Sequence, residues 1–309
     1  MVTAAQDTVS VVIATRNRPE MVREAITSII DQDYRGDVEI LVVFDQSEPD
    51  PSIASMGAGS RRSVRVLTNT RTPGLAGARN SGISEAAGTY VAFCDDDDYW
   101  MAGKLTAQVA ALAAVPEASL CTCGIEVHWS GDRFPRPLDS TRVPFAELLR
   151  DRHTALHPST VLMRRALLLD EVGLVDEDVP GGYGEDYEFL LRNARVSPIV
   201  NVVEPLAVVR WGSQSYFDKR WETMVAGLTW MLERYPEFES VPRGAARIHG
   251  QVAFAEAALG HGRTALRWAA STLRRNPREP RAVLALAVAS RAVSSDRVMR
   301  MLHARGRGI

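Results

Sequence analysis

The chain has 309 residues, a formal net charge of −2, 46% hydrophobic residues and 24% charged ones. That size and apolar content suit one large α/β domain with an appendage, or two moderate domains, and exclude a disordered chain. Apolar runs such as Ala282 to Ala289 fall far short of a membrane span, and Met1 to Ser10 has neither the basic nor the apolar segment of a secretory signal.

The near-neutral total conceals a division. Between Val241 and Ile309 stand thirteen arginines, no lysine and three acids (Glu256, Glu279, Asp296), a net +10 that leaves −12 on the rest. A basic tail of this kind suits anionic lipid, nucleic acid or an acidic partner, with a solvated helix face as the plain alternative. Cysteines number three, an odd count. Cys94 falls in an apolar run, and Cys121 and Cys123 alternate onto one face of a second. Buried free thiols in a reducing cytoplasm are expected.

In chain order, Val9 to Ala14 is a short β-branched run and reads as a buried strand. Asn17 then offers a helix cap, with Pro19 in the first turn and Glu20 at capping-box spacing. Met21, Val22, Ala25, Ile26, Ile29 and Ile30 recur at helical spacing and form the face laid on a sheet. Val38 to Phe44 is a second strand ending at Asp45, and Val64 to Leu67 an edge-like third. Pro73-Gly74 precedes a helix from Leu75 to about Ala87, and Tyr90 to Cys94 is a fourth strand. Strand–helix alternation over the first hundred or so residues predicts a doubly wound, mostly parallel sheet.

Further on, Ala102 to Ala114 reads as helix, Leu120 to Trp129 as strand and Ser159 to Met163 as strand. Glu185 to Ala194 is helical, Ile199 to Val209 extended and Lys219 to Arg234 helical. From Pro242 the chain turns to alanine-rich helix with breaks at Gly260-His261-Gly262 and Asn276-Pro277. A helical hairpin with one or two further helices is expected. Gly260, Ala265 and Pro277 fall at tetratricopeptide-like spacing, a weak signal from one incomplete repeat.

Four consecutive aspartates, Asp95-Asp96-Asp97-Asp98, follow the fourth strand. Adjacent carboxylates repel unless solvent or a cation screens them, and aspartate favours neither helix nor strand. The cluster is therefore a loop at the carboxyl end of a strand, the edge where open α/β sheets bind ligands. An acidic turn alone is unspecific, as are Asp45 as a strand-end cap, Arg79 in a surface ion pair and Asp186 at a helix start.

Their order is more informative. Ala14-Thr15-Arg16-Asn17 ends strand one and Asp45 ends strand two. Gly74-Leu75-Ala76-Gly77-Ala78-Arg79-Asn80-Ser81-Gly82 opens a helix, the aspartates close strand four, and Gly184-Glu185-Asp186-Tyr187 comes roughly ninety residues later. From Val9 to Ser215 this order resembles the family 2 glycosyltransferases, inverting enzymes of the GT-A fold with a DXD motif. The resemblance implies a GT-A domain with a donor half at residues 1–105 and an acceptor half at 106–240. The arginine-rich helical tail, 241–309, is an addition to it.

That resemblance also implies roles. Asp97 and Asp95 are the expected ligands of Mn2+ or Mg2+, Asp95 reaching ribose or metal through water. Asp96, at the motif's variable position, is grouped with the donor contacts, and Asp98 extends the motif. Ala14, Thr15 and Asn17 are expected to cradle the nucleotide base, with Asp45 bonded to that base. Relatives often read Asp-Asp-Gly-Ser where this chain has Phe44-Asp45-Gln46-Ser47. Arg79 is expected at the base or the phosphates, work that suits a planar guanidinium. Asp186 is the expected general base, supported by Glu185, with Gly181, Gly182 and Gly184 marking a loop able to close.

His157 and Trp100 are candidates on the acceptor side, together with the loop Gly131 to Val143. Trp211 stands where relatives often carry a histidine followed by serines, here Val209-Arg210-Trp211-Gly212-Ser213-Gln214-Ser215. The Gln-x-x-Arg-Trp pattern of processive synthases is not clear at Lys219-Arg220-Trp221, which favours transfer of a single sugar.

The expected partners are a nucleotide-sugar donor, with UDP favoured over TDP or GDP, and a saccharide, glycolipid or other hydroxyl acceptor. An anionic membrane surface is expected at the tail and no nucleic acid, which places the protein in the cytoplasm or on the inner face of the membrane. Other classes fit less well. A sugar-phosphate nucleotidyltransferase needs a glycine-rich first loop with a lysine, and Ala14 to Glu20 has neither. A dinucleotide oxidoreductase needs GxGxxG in that turn. A non-catalytic scaffold acting through the basic tail is the remaining alternative.

Overall fold

A computed structural model describes residues 7–57, 59, 61–129, 131–211 and 220–303. The serine-rich stretch after Trp211 and Lys219 both lie outside the described residues. The chain divides into two compact units. The first takes Met1–Leu148, Arg152–Glu177 and Glu185–Ser213; the second takes Leu149–Asp151, Asp178–Gly184 and Gln214–Ile309.

The first unit is built on one mixed sheet. Its strands are β1 (Val9–Thr15), β2 (Val38–Phe44), β3 (Arg62–Thr68), β4 (Tyr90–Phe93), β5 (Tyr99–Trp100), β6 (Leu120–Trp129), β7 (Asp132–Arg136), β8 (Arg142–Val143), β9 (Leu162–Arg164) and β10 (Ile199–Arg210). They run in the order β3-β2-β1-β4-β9-β6-β10-β5, with β7 on β6 and β8 on β10. Strands β3, β2, β1 and β4 are mutually parallel, as are β6 and β10. Strand β9 runs antiparallel between β4 and β6.

The helices of this unit follow from sequence spacing. In α1 (Pro19–Ile30), Val22, Ala25, Ile26 and Ile29 are buried, whereas Met21 remains exposed. The expected cap does not form: Arg18 precedes the helix, no side chain caps it, and Asn17 adopts a left-handed φ of 54°. Helix α2 (Leu75–Glu85) buries polar residues, Arg79, Asn80 and Ser81, alongside Ala78 and Ile83. Helix α3 (Lys104–Ala113) and the short α4 (Phe145–Arg150) and α5 (Arg165–Leu167) follow, then α6 (Glu185–Val196). The segment expected as strand at Ser159 to Met163 begins instead as a 3-10 turn, Pro158–Thr160, and only Leu162–Arg164 pairs. On one face an apolar core with fully buried Val11, Ile13, Ile40, Val42 and Ala92 packs against the sheet, and Val12, Leu41, Val43 and Phe93 are buried on the other.

The chain passes from β1 through α1 to β2 on one side, and from β3 through α2 to β4 on the other side of β1. A crevice therefore opens at the carboxyl ends of the strands, at the switch point of the strand order. Thr15, Asp45 and Asp95 all stand on or just beyond that edge.

The second unit is helical: α7 (Trp221–Arg234), α8 (Pro242–Ala258), α9 (Gly262–Arg275), α10 (Pro280–Ala289) and α11 (Ser295–His303). It takes in α7 as well as the expected 241–309. Buried alanines at 253, 257, 265, 269 and 285 with Phe254 form its own core. No described helix is long and apolar enough to cross a membrane. All three cysteines are free and buried.

Candidate active site

The four aspartates take four different environments. Asp95 Oδ1 accepts from Arg79 Nη2 at 2.8 Å. Asp96 accepts from Thr15 Oγ1 and from Arg18 Nη1, each at 2.8 Å. Asp97 Oδ2 accepts from the same Arg18 nitrogen at 2.7 Å. Asp98 is almost fully buried, taking Ser159 Oγ at 2.5 Å on Oδ2 and the Arg210 backbone N–H at 3.1 Å on Oδ1.

Burial pushes the Asp96 carboxyl above its ordinary range despite Thr15 and Arg18. Burial and the charge on Asp95 raise both Asp97 and Asp98, the latter strongly. The strip is short of positive charge: two arginines face four carboxylates, so a further cation at this edge is favoured.

The oxygens and nitrogens best placed for such a cation belong to Asp95, Asp98 and His157, whose ligand atoms all lie within 4.8 Å of one another. His157 Nδ1 and Asp98 Oδ2 stand 3.4 Å apart. Two carboxylates and an imidazole are a suitable donor set for Mn2+ or Mg2+. Asp97 is not part of this cluster; its carboxylate faces Arg18. His157, expected on the acceptor side, sits among the aspartates instead.

Trp100 departs further from expectation. Only 3% of it is exposed, its indole N–H donates to the Ser159 carbonyl at 2.8 Å, and the Lys104 ammonium lies 3.8 Å from its ring centre. It supports the 157–160 turn from within the core and offers no face for a sugar. Ser159 in turn takes the Asp95 N–H at 3.0 Å while donating to Asp98, so one hydroxyl spaces the two acids.

Asp45 is buried at the end of β2 and accepts from Asn69 Nδ2 and Gln46 Nε2 at 2.8 Å and from the Gly74 N–H at 3.1 Å. Gly74 reaches it at φ 124°, a conformation that favours glycine. The loop 69–74 lies so close on α2 that a Cβ at Gly77 would come 1.9 Å from the Thr72 carbonyl oxygen. Glu177 fastens the same loop, accepting from Thr72 Oγ1, from Arg71 Nε at 2.6 Å and from Asn80 Nδ2 at 2.7 Å. Burial opposes ionisation of Glu177, but these bonds outweigh it and hold the carboxyl down at about 2.

Arg79 links the two halves of the site. It is buried, its guanidinium lies 5.3 Å from the Phe93 ring centre, and it bonds both Asp95 and, at 3.3 Å, Glu185 Oε1. Glu185 and Asp186 open α6, and their environments separate them. Burial and the neighbouring Asp186 charge push Glu185 up to about 7. Burial opposes the charge on Asp186 too, but Arg152, Arg79 and His157 outweigh it and hold that carboxyl below its ordinary value. Arg152 bonds Asp186 directly.

Of the residues expected from sequence, the structure thus joins Thr15, Asp95, Asp96, Asp98, Arg79, Glu185, Asp186 and His157 by direct bonds or shared charge. Ala14 lies half-buried at the end of β1 and Asn17 is exposed beyond it. Arg18, Asn69, Arg152, Ser159 and Glu177 were not anticipated. Arg18 had one available signal, its place in the first loop beside Asn17, but nothing separated it there from Arg16.

The fold and this edge define a GT-A-type domain, a mostly parallel sheet with an aspartate-rich nucleotide edge. Residues 10–169, just over half the chain, match the sequence profile described as Glycosyl transferase family 2. The chain belongs to that family, whose members are enzymes of the transferase type.

Among curated relatives, it is 33% identical over 102 residues to the Escherichia coli UDP-Glc:alpha-D-GlcNAc-diphosphoundecaprenol beta-1,3-glucosyltransferase WfgD, which covers 33% of this chain and 40% of that protein. The matched segment thus spans well under half of that relative. Among solved structures, S. aureus TarS 1–349 in complex with UDP-GlcNAc superposes with a TM-score of 0.62 at 17% identity, over 92% of this chain and 91% of the other. The mannosyltransferase PcManGT from Pyrobaculum calidifontis, in complex with GDP-Man and Mn2+, gives 0.59 at 22% identity, over 97% and 84%. At such identities the two structures share the fold.

Proposed function

We propose that this protein transfers a single sugar, with inversion, from a nucleotide-sugar donor to a hydroxyl acceptor, with Asp186 as general base. The observation that carries the reading is the separation of Glu185 from Asp186. Two adjacent carboxyls whose environments drive their pKa values apart are an acid–base pair with divided roles. Glu185, 5% exposed and bonded to Arg79, holds that guanidinium in place. Asp186 is ionised at neutral pH and less buried, so it can meet substrate.

In the reaction the acceptor hydroxyl gives its proton to the Asp186 carboxylate as its oxygen attacks the anomeric carbon. The bond from that carbon to the diphosphate breaks on the opposite face, and the electron pair leaves with the nucleotide. Arg152 bonds one oxygen of Asp186 and favours its charged form. A divalent cation, when bound, supplies charge neutralisation for the departing diphosphate. Asp95, Asp98 and His157 are the residues best placed to hold it, and Asp97 would join them by leaving Arg18. Thr15 and Asp45 would receive the base, and Arg79 backs Asp95.

A UDP-sugar is the favoured donor, since the E. coli relative is named for UDP-Glc and TarS was solved with UDP-GlcNAc. By the same reasoning the acceptor is a lipid-linked saccharide, as the diphosphoundecaprenol in that relative's name suggests. On this reading residues 1–105 receive the donor and 106–240 the acceptor, at the cytoplasmic face of a membrane.

Calorimetric titration with UDP, TDP and GDP, each with and without Mn2+, tests the donor half. Metal-dependent binding of UDP in preference to the others is expected. A folded sample that binds no nucleotide with the metal present would remove the reading.

A further inference from the structure

Helix α9 carries a second charged surface with a different construction. Its buried residues, Ala265, Ala269 and Thr272, are small and lie on one side. Arg263, Leu266, Arg267, Ala270 and Arg274 are all exposed. At the α-helical rotation per residue these five fall within an arc of about 100°, opposite the buried side. Trp268 is turned inward, with its ring centre 4.8 Å from that of His249 in an edge-on contact.

No acid occurs anywhere in α9, and its fourth arginine, Arg275, is bonded to Glu239 and Ser271. The acids nearest in sequence are engaged elsewhere, Glu256 with His261 at 2.7 Å and Glu279 with Arg281 at 2.6 Å. Among the described residues, Arg263, Arg267 and Arg274 have no acidic partner. Leu266, 52% exposed, stands at the border of this stripe, and Arg278 extends it beyond the helix end.

We infer that the outer face of α9 binds an anionic phospholipid surface. Three unpaired guanidiniums in line suit phosphodiester headgroups, each able to form paired N–H···O bonds, where ammonium groups would act only as point charges. An exposed leucine beside them is the apolar element that an interfacial helix sets below the headgroups. A duplex nucleic acid would use the arginines but has no place for the leucine. The inference rests on the α9 face alone and is independent of the donor and acceptor assigned above.

Flotation of the full-length protein with phosphatidylcholine vesicles, and with vesicles also containing phosphatidylglycerol, tests it. Binding to the anionic vesicles only is expected. Each arginine near such a surface contributes about fivefold in affinity, so Arg263→Gln/Arg267→Gln/Arg274→Gln should weaken binding about 100-fold. Leu266→Ala should weaken it severalfold, through lost apolar burial. All these positions are exposed, so unchanged circular dichroism and unchanged nucleotide titration are expected in every variant, and they separate failure here from failure of the donor site. Wild-type protein that ignores anionic vesicles, or a triple variant that binds them like wild type, overturns the proposal. So does equally tight binding to a duplex oligonucleotide with Leu266→Ala binding vesicles unchanged, which would make the face a general polyanion site.

Discussion

The aspartate strip and the α9 face are both runs of like charge, yet they are built in opposite ways. In the strip every carboxylate has a partner inside its own unit, and burial raises the energy of charges that remain: Arg18 spans Asp96 and Asp97, Arg79 joins Asp95 to Glu185, and Ser159 spaces Asp95 from Asp98. On α9 the arginines are exposed and, among the described residues, three have no acid to answer them. The contrast shows what like charges cost in each setting. Charges held by partners inside the fold tie folding to the site, whereas solvated charges leave folding alone and stay free for a partner.

The largest effect expected within the strip's neighbourhood is on turnover. Asp186→Asn removes the proposed proton acceptor while keeping the shape and most of the hydrogen bonding of the carboxylate. A loss of kcat of about 10²- to 10⁴-fold is expected, with nucleotide affinity nearly unchanged. Steady-state rates and calorimetry on the same sample check both. A variant that retains wild-type kcat would transfer the base to another group, and Glu185, poised at about 7, would be the first to examine.

Stability should divide the two regions most clearly. Arg79→Leu leaves Asp95 and the buried Glu185 without their shared cation, and the cost of breaking such a buried pair is about 3–5 kcal/mol. Urea unfolding should show a lowered midpoint with an unchanged slope. The arginine-to-glutamine changes on α9 should stay within about 0.5 kcal/mol of wild type in the same experiment, as exposed unpaired positions do. Comparable losses in both sets would erase the distinction between them.

Much of this site was visible before the structure, and the reason is local. Strand ends are marked by β-branched runs that stop at a polar residue, so Thr15, Asp45 and Asp95 could be placed on one sheet edge from spacing alone. Arg79, Glu185 and Asp186 were singled out only through the family resemblance that their order along the chain carries. The residues that escaped are those whose work depends on convergence across the sequence. Arg18 meets Asp96 from 78 residues away, and Glu177 meets Thr72 from 105. Nothing in Arg16-Asn17-Arg18 says which arginine turns inward.

Asn17 reads as a cap because its type is right, but the left-handed turn there moves the helix start past it. Trp100 reads as a sugar platform until Lys104 and Ser159 enclose it. His157 and Asp98 form a cluster with Asp95 only because β9 is inserted beside β4, and the short turn 158–160 that achieves this has no periodicity to detect. In the tail, by contrast, alanine-rich helix and the breaks at Gly260-His261-Gly262 and Asn276-Pro277 were legible from composition. The sidedness of α9 needed the fold to show which arginines remain free.

The smallest effect concerns the fastening of the 69–74 loop, and it sharpens the comparison because it can be read from pH alone. Glu177 is held down at about 2, against an ordinary value of 4.5, so its bonds to Thr72, Arg71 and Asn80 stabilise the fold fully above pH 4.5. The folded form keeps the carboxylate charged where the unfolded chain already takes up a proton, so this contribution is lost as pH falls from 4.5 through about 2. Glu177→Gln keeps the size of the side chain, accepts on one oxygen only and cannot titrate. Between about pH 5 and pH 3 the wild type should lose more stability than the variant, narrowing the gap between their urea midpoints. Loop 69–74 holds Asp45 through Asn69 and Gly74, so the variant should also bind nucleotide more weakly at neutral pH, with kcat less affected than affinity. Parallel acid unfolding of the two proteins, with unaltered nucleotide affinity in the variant, would reduce Glu177 to one ion pair among many.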